Sequence, residues 1–277
     1  MTADADLIDA DDGLPGRASG AWAQDKLAFL RKYADIFSTG MKYKWPTRVY
    51  VDLMAGPGVC VDRKSHLTFE GSPLLAQRVT DPFSRTVFVE RDPAAVAALE
   101  TRLRRVGATR AIVLRGDCND PAVVAGVKQV IDDGLALVFV DLIGLNVRFD
   151  TIRRLTEGQA VDLVVTFPDM ALKRNFPQAE AEEWTAFFGG TAWREALDRW
   201  ARHTAREGSV SAMLANVYRR ELDQQLGYRH STCARPMVNS RRAVLYRPLF
   251  ASRHTKGLEF WQKISRRDRS GQPNLFD

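Results

Sequence analysis

Short apolar runs alternate with amphipathic stretches along most of this chain. Val49, Val51 and Leu53 belong to the first run, Thr86–Glu90 (TVFVE) forms the second, and Ala111–Leu114 (AIVL) the third. Leu135–Val140 (LALVFV) is the most apolar run, and Val161–Phe167 (VDLVVTF) is the fifth. Such runs lack the strict alternation of a half-exposed strand and suit strands buried on both faces of a parallel sheet. Helical patterns fall between them, over Ala94–Arg105 and from near Pro121. Five short strands alternating with helices predict a doubly wound, mostly parallel α/β sheet.

The region 177–206 reads as helical, with Trp184, Phe187, Phe188, Trp193, Leu197 and Trp200 spaced for one buried face around a Gly189-Gly190 break. A further helix is predicted over Ala212–Leu226.

Candidate chemistry gathers at the ends of the apolar runs. The segment RVYVDLMAGPG, Arg48–Gly58, carries a strand into Asp52 and then a turn in which Gly56 and Gly58 let a ligand approach the main chain. The G-x-G spacing lacks the third glycine of the dinucleotide fingerprint. Glu90, closing the second strand, is placed to accept ribose hydroxyls. It follows Gly56 by 34 residues, against roughly 20 in a simple dinucleotide fold. The extra length is a polar loop, Val59–Gly71, followed by a predicted helix start with Ser72 as N-cap and Pro73 in the first turn. Asp117 follows the third strand, placed to bind an exocyclic amine such as that of adenine, and Asn119 or Asp120 caps the next helix. Asp141 ends the fourth strand. After the fifth, DMALKRN (Asp169–Asn175) puts Lys173, Arg174 and Asn175 near the sheet's carboxyl edge, suited to a substrate phosphate or carboxylate.

D-x-x-A-G-x-G after the first strand, Glu at the second, G-D at the third and Asp at the fourth resemble the class I S-adenosylmethionine-dependent methyltransferases. More specifically, the chain is similar to the three-Cys-motif partner family. The likeness lies in the helix Lys26–Tyr33, the A-G-P-G turn, the E-G-S-P-L-L-A segment Glu70–Ala76, and the ending Leu249–His254 with Gly257–Trp261. It covers roughly residues 22 to 266. The inserted loop and helix also resemble, in architecture, those of bacterial ribosomal-RNA adenine-N6 methyltransferases.

The resemblance implies a Rossmann-like fold with a seven-stranded sheet, an antiparallel closing hairpin formed by Thr232–Val238 and Ala243–Ala251, and a helical insertion over about 170–208. It implies S-adenosylmethionine as cofactor. Asp52, Ala55, Gly56 and Gly58 would face its methionine part, Glu90 its ribose, and Asp117, with Cys118 adjacent, its adenine. Asp141 falls at the catalytic motif, with Arg174 and Asn175 as further catalytic candidates. The chain departs from the amino-methyltransferase pattern: Asp141-Leu142-Ile143-Gly144 lacks the Pro-Pro-aromatic stretch that stacks on a base. No cysteine follows the fourth strand, so carbon methylation of a pyrimidine is not expected.

The chain has 277 residues, 45% hydrophobic, enough for one sizeable α/β domain. Five aspartates among the first 16 residues, with no basic residue there, predict a disordered acidic tail over 1–20, ahead of a domain over 21–267 and a flexible tail over 268–277. The net charge is +6. Nine Lys and Arg between Arg241 and Arg269 read as a nucleic-acid footprint. Cys60, Cys118 and Cys233 fit neither a disulfide framework nor a zinc site, so no cysteine-ligated cluster is expected on this chain; the resemblance implies that an iron–sulfur cluster belongs to the three-Cys-motif partner. With no membrane-length apolar run or signal peptide, a cytoplasmic location is expected. Gln272, Leu275 and Phe276 match a Q-x-x-L-F motif for docking a DNA sliding clamp. The competing functional class is a non-catalytic scaffold on a methyltransferase fold. A hydride-transferring dehydrogenase fits less well, given the long first crossover.

Overall fold

The computed structural model describes residues 7–175, 180–202, 209–239 and 243–265. Two strands open it, β1 (Leu7–Asp9) and β2 (Pro15–Ser19), followed by the long helix α1 (Trp22–Met41). Next come β3 (Arg48–Asp52), the pair β4 (Val59–Asp62) and β5 (Thr68–Glu70), and the short α2 (Ser72–Ala76). Regular alternation follows: β6 (Arg85–Glu90), α3 (Pro93–Arg105), β7 (Ala111–Arg115), α4 (Pro121–Ile131), β8 (Leu135–Val140), α5 (Phe149–Thr156) and β9 (Ala160–Phe167). Four helices then precede the last strands: α6 (Asp169–Asn175), α7 (Ala181–Phe188), α8 (Ala192–Arg202) and α9 (Val210–Leu226). The described chain closes with β10 (His230–Cys233), β11 (Met237–Val238), β12 (Val244–Ser252) and α10 (Thr255–Ser265).

The main sheet runs β10-β12-β9-β8-β3-β6-β7, with the two-residue β11 added on β12. Its pairings are parallel except those of β12 with β9 and with β10 or β11. Counted from β3, leaving out β4, β5 and β11, and read from the β7 edge, the order is third, second, first, fourth, fifth, seventh, sixth. This is the Rossmann-like fold of class I methyltransferases. Every residue of β3 and β8 is buried, as their uninterrupted apolar character requires. Alternation within β3 sends Val49 and Val51 into a core shared with α4, α5, α7 and α9. Tyr50 faces the opposite core, formed with α1, α2, α3 and α10.

Strand register sets the functional edge. Asp52 pairs level with Phe139 of β8 and Phe88 of β6, so the carboxyl ends of all three strands emerge together. Successive strands are added to one side of β3 (β6, β7) and then to the other (β8, β9), and that switch point is where open α/β sheets bind ligands.

The acidic N-terminal segment is not a tail from residue 7 onward. A second sheet, β1-β2-β4-β5, joins it to the inserted segment between β3 and β6, with β2 parallel to β4. The acid clusters attract a specific partner: Asp12 accepts hydrogen bonds from Arg102 Nε (2.9 Å) and Nη2 (2.6 Å), and from Arg105 Nη1 (3.0 Å). Counting aspartates cannot show that α3 presents these arginines.

The late basic cluster also reads differently. Arg247 is buried in a pair with Asp169, Nε lying 3.0 and 2.9 Å from its two oxygens. Arg253 donates to the carbonyls of Leu226, Thr156 and Gln159, and Lys256 pairs with Glu259. Arg247 and Arg253 thus hold the last strand in place, while the Lys256 pair is exposed and lies within one helix. Arg241, Arg242, Arg266, Arg267 and Arg269 lie outside the described residues, as does the Gln272, Leu275, Phe276 motif. No described helix is long and apolar enough to cross a membrane.

Candidate functional site

Beyond β3 the chain leaves its strand while still tied to both neighbours: Leu53 N–H donates to Phe139 O (3.1 Å) and Ala55 N–H to Val89 O (2.9 Å). Gly56 and Gly58 then take left-handed backbone angles, φ +65° and +92°. Their surroundings differ. A Cβ on Gly56 would meet only Arg17, at 3.8 Å and beyond, so the outer side of this glycine faces that side chain in ordinary van der Waals contact. A Cβ on Gly58 would lie 3.2 Å from Leu99 Cδ1, so Gly58 serves the contact with α3. Ala55 is buried at the turn's start.

Glu90 is wired to this turn. Its Oε2 accepts the Gly56 N–H at 2.8 Å, and Oε1 accepts those of Arg91 and Asp92 at 2.8 and 2.9 Å. A carboxylate oxygen carries two lone pairs, so Oε2 keeps one for a ligand hydroxyl. Asp117, exposed beyond β7, accepts the Asn119 amide N–H at 2.7 Å and lies 3.9 Å from Arg91 Nη1. Asp120 is the residue that caps α4, accepting from Ala122 N–H at 2.8 Å. Asn119 instead ties the loop after β8: its Oδ1 accepts from Arg148 N–H (2.9 Å) and its Nδ2 donates to Asn146 O (2.8 Å). Cys118 is buried, and that burial pushes its thiol up to about 12, which keeps it protonated.

Asp52 is fully buried. Its Oδ1 accepts Met54 N–H at 3.2 Å, while Oδ2 makes no hydrogen bond of good geometry. Burial raises its pKa to about 7, although the Ser72 hydroxyl and the Met54 amide pull it back. Ser72 therefore acts on the carboxyl group. The cap position of α2 belongs to Gly71, where no side chain bonds the helix end.

Asp141 is the most heavily engaged acid of the edge. Its Oδ2 lies 2.6 Å from Lys26 Nζ, its Oδ1 accepts from Thr166 Oγ1 at 2.7 Å, and Arg17 Nη1 is 3.7 Å from Oδ2. Burial would raise its pKa, but Lys26 and Arg17 outweigh that and hold it below the ordinary carboxylate value. Lys26 Nζ also sits 5.3 Å from the Trp22 ring centroid and 5.8 Å from that of Tyr246. The Tyr246 hydroxyl is buried without a hydrogen-bond partner, and Asp141 is among the charges raising its pKa.

The sheet edge thus brings together Asp52, Gly56, Glu90 and Asp141, with Asp117 reached through Arg91. Arg174 is exposed on α6 and no bond joins it to the Asp141 cluster. The side chain of Asn175 lies outside the described residues. Sequence reasoning missed Arg17 and Tyr246 and gave Lys26 no chemical role. Arg17 sits in the acidic stretch, and nothing local marks a lysine on an amphipathic helix as the partner of an acid 115 residues away. Among the described residues no group of three or more His, Cys, Asp or Glu could hold a metal ion.

S-adenosylmethionine fits the residues present: a left-handed glycine faced by the Arg17 cation, an acid with a free lone pair for ribose, and a buried carboxyl group with an unpartnered oxygen beside them.

The chain matches no protein-family model and no curated protein. Solved structures with a similar fold include a fibrillarin/Nop5p complex at 11% identity, covering 84% of this chain and 83% of that one, TM-score 0.44. An rRNA methylase from Streptococcus thermophilus is similar at 9% identity, with 83% and 95% covered and a TM-score of 0.40. TYW2 of M. jannaschii in complex with AdoMet is similar at 10% identity, with 88% and 84% covered and a TM-score of 0.38. At such identities and TM-scores, the chemistry has to be argued from this chain's own residues.

Proposed function

We propose that this protein is an S-adenosylmethionine-dependent methyltransferase whose cofactor lies across the carboxyl ends of β3, β6 and β7. The observation that carries the reading is the wiring of Glu90 to the Gly56 amide. One carboxylate sets the turn and still offers a lone pair to a ribose hydroxyl. Gly58 leads into strand β4, so the turn presents no helix N-terminus to a pyrophosphate, which argues against a dinucleotide.

The bound cofactor would supply a methyl group on a sulfonium, already a good donor, so the protein's task is positioning. Asp52 would face the methionine part, with Ala55 and Gly56 forming the floor and Asp117 and the buried Cys118 bordering the adenine. Asp141, kept ionised by Lys26 and Arg17, would accept a hydrogen bond from the acceptor group and orient it. Arg174 and Asn175 would contact the acceptor's more distant parts. The acceptor is a nucleic acid or a product of an iron–sulfur-cluster-bearing three-Cys-motif partner. The protein works in the cytoplasm, and its 268–277 tail docks a sliding clamp through Gln272, Leu275 and Phe276.

A non-catalytic scaffold role is the second reading. It is favoured by the Lys26 and Thr166 contacts that already occupy both oxygens of Asp141, and by the missing Pro-Pro-aromatic stretch. Calorimetric titration of S-adenosylmethionine into the wild type, Glu90→Ala and Asp52→Ala separates the two. Micromolar binding that both variants lose supports the enzyme, and justifies a labelled-methyl transfer screen over DNA, RNA and the partner. A folded wild-type protein that does not bind leaves the scaffold.

A further inference from the structure

Arg17 is a largely buried cation without an adequate partner. Its side chain is 18% exposed, and its single charged contact is Asp141 at 3.7 Å, an oxygen that Lys26 already holds at 2.6 Å. It makes no hydrogen bond to any described residue. A guanidinium carries five N–H donors, and withdrawing them from water unpaired is unfavourable. An arginine held in this state is suited to an anionic ligand.

The place of that anion follows from the backbone. Arg17 Cδ and Nη1 lie 3.8 and 3.9 Å from where a Cβ on Gly56 would stand, so the side chain packs over the outer side of the glycine turn. The strand carrying it is fixed there. β2 pairs with β4 in parallel, Arg17 level with Cys60. Arg102 ties the same segment to the turn, donating to Pro15 O and to Pro57 O, each at 2.7 Å, while also gripping Asp12.

We propose that Arg17 is a ligand-binding residue that grips the carboxylate of an α-amino-acid group bound beside the Gly56 turn, so that the N-terminal strand completes the cofactor site. The proposal rests on S-adenosylmethionine being the cofactor and assigns its amino-acid end. A planar fork of donors matches a carboxylate in a two-bond arrangement, which the distant, already occupied Asp141 does not offer. Lys26 stays on Asp141, so the two cations have separate anions.

The test is a binding titration of wild type, Arg17→Met and Arg17→Lys with two ligands: S-adenosylmethionine, and 5′-methylthioadenosine, which lacks the amino-acid carboxylate. Arg17→Met is expected to weaken S-adenosylmethionine by about ten- to hundredfold, the range of a lost charged hydrogen-bond pair, and to leave methylthioadenosine unchanged. Arg17→Lys, which keeps the charge without the fork, is expected to fall between. If Arg17→Met binds S-adenosylmethionine like the wild type, or weakens both ligands equally, the proposal is overturned while the cofactor assignment stands. If the wild type binds neither ligand, the cofactor assignment fails and takes this proposal with it.

Discussion

Lys26 Nζ lies 2.6 Å from Asp141 Oδ2, joining the first turns of α1 to the end of β8 across the mouth of the sheet. The two side chains are 10% and 14% exposed, so solvent screens the pair poorly, and Trp22 and Tyr246 flank the ammonium. Lys26→Met would leave the carboxylate with Arg17 alone at 3.7 Å. The expected loss is about 2–3 kcal/mol of stability, the lower part of the range for breaking a buried pair. Urea unfolding followed by tryptophan fluorescence reads it. Asp141 has a depressed pKa, so its contribution is present above the unfolded value of 3.8 and fades as pH falls through the lower folded value. Asp141→Asn should flatten that acid limb, and an unchanged limb would count against the pairing.

Asp52 should show the opposite pH dependence. Its folded pKa of about 7 stands above the ordinary value of 3.8, so between these pH values the native state keeps a proton that the unfolded chain has released. The stability from this group is full below 3.8 and is lost as pH rises through 7. Asp52→Asn removes the ionisation and should stabilise the ligand-free protein by about 2–4 kcal/mol at pH 8, with far less effect near pH 4. Thermal melts at the two pH values decide it; equal shifts at both would contradict the assignment.

Arg102 is 2% exposed and bonds Asp12 together with the carbonyls of Leu14, Pro15 and Pro57. Arg102→Met should release the N-terminal strands before the main sheet. The expected signature is faster amide exchange over residues 7–19 and a loss of about 3 kcal/mol or more. Asp12→Ala should cost about 1 kcal/mol, since Asp12 is one-third exposed. Uniform exchange of the whole domain in Arg102→Met would show that the strands are not a separate unit.

Gly56→Ala separates folding from binding. No atom lies within 3.8 Å of the new methyl group, so the cost is the left-handed backbone alone, about 1 kcal/mol. The methyl group would stand where the ligand approaches, and S-adenosylmethionine affinity should fall at least tenfold in calorimetry. Gly71→Ala is the contrasting control: its Cβ would sit 2.9 Å from the Gly58 carbonyl oxygen, so stability itself should drop. Unaltered binding by Gly56→Ala would remove the ligand from this turn.

What the amino-acid order determined by itself is the α/β core and the floor of the candidate site. Runs such as Leu135–Val140 can be buried only as inner parallel strands, and Asp52, Glu90 and Asp141 end those runs, so local pattern places all three acids at one sheet edge. Partnership between distant residues was decided by the tertiary structure alone. Pairing energy depends on distance and desolvation, and residues 17, 26, 102 and 247 carry no mark of either in their neighbours along the chain. The aspartates of 4–12 read as solvated charge because composition counts like charges nearby; folding sets Asp12 against Arg102, 90 residues away. The late arginines read as a surface for nucleic acid, yet Arg247 is internal because Asp169 begins the helix that packs beside it. Arg17 was hidden for the same reason: only the folded structure sets its guanidinium beside Gly56 and 3.7 Å from Asp141.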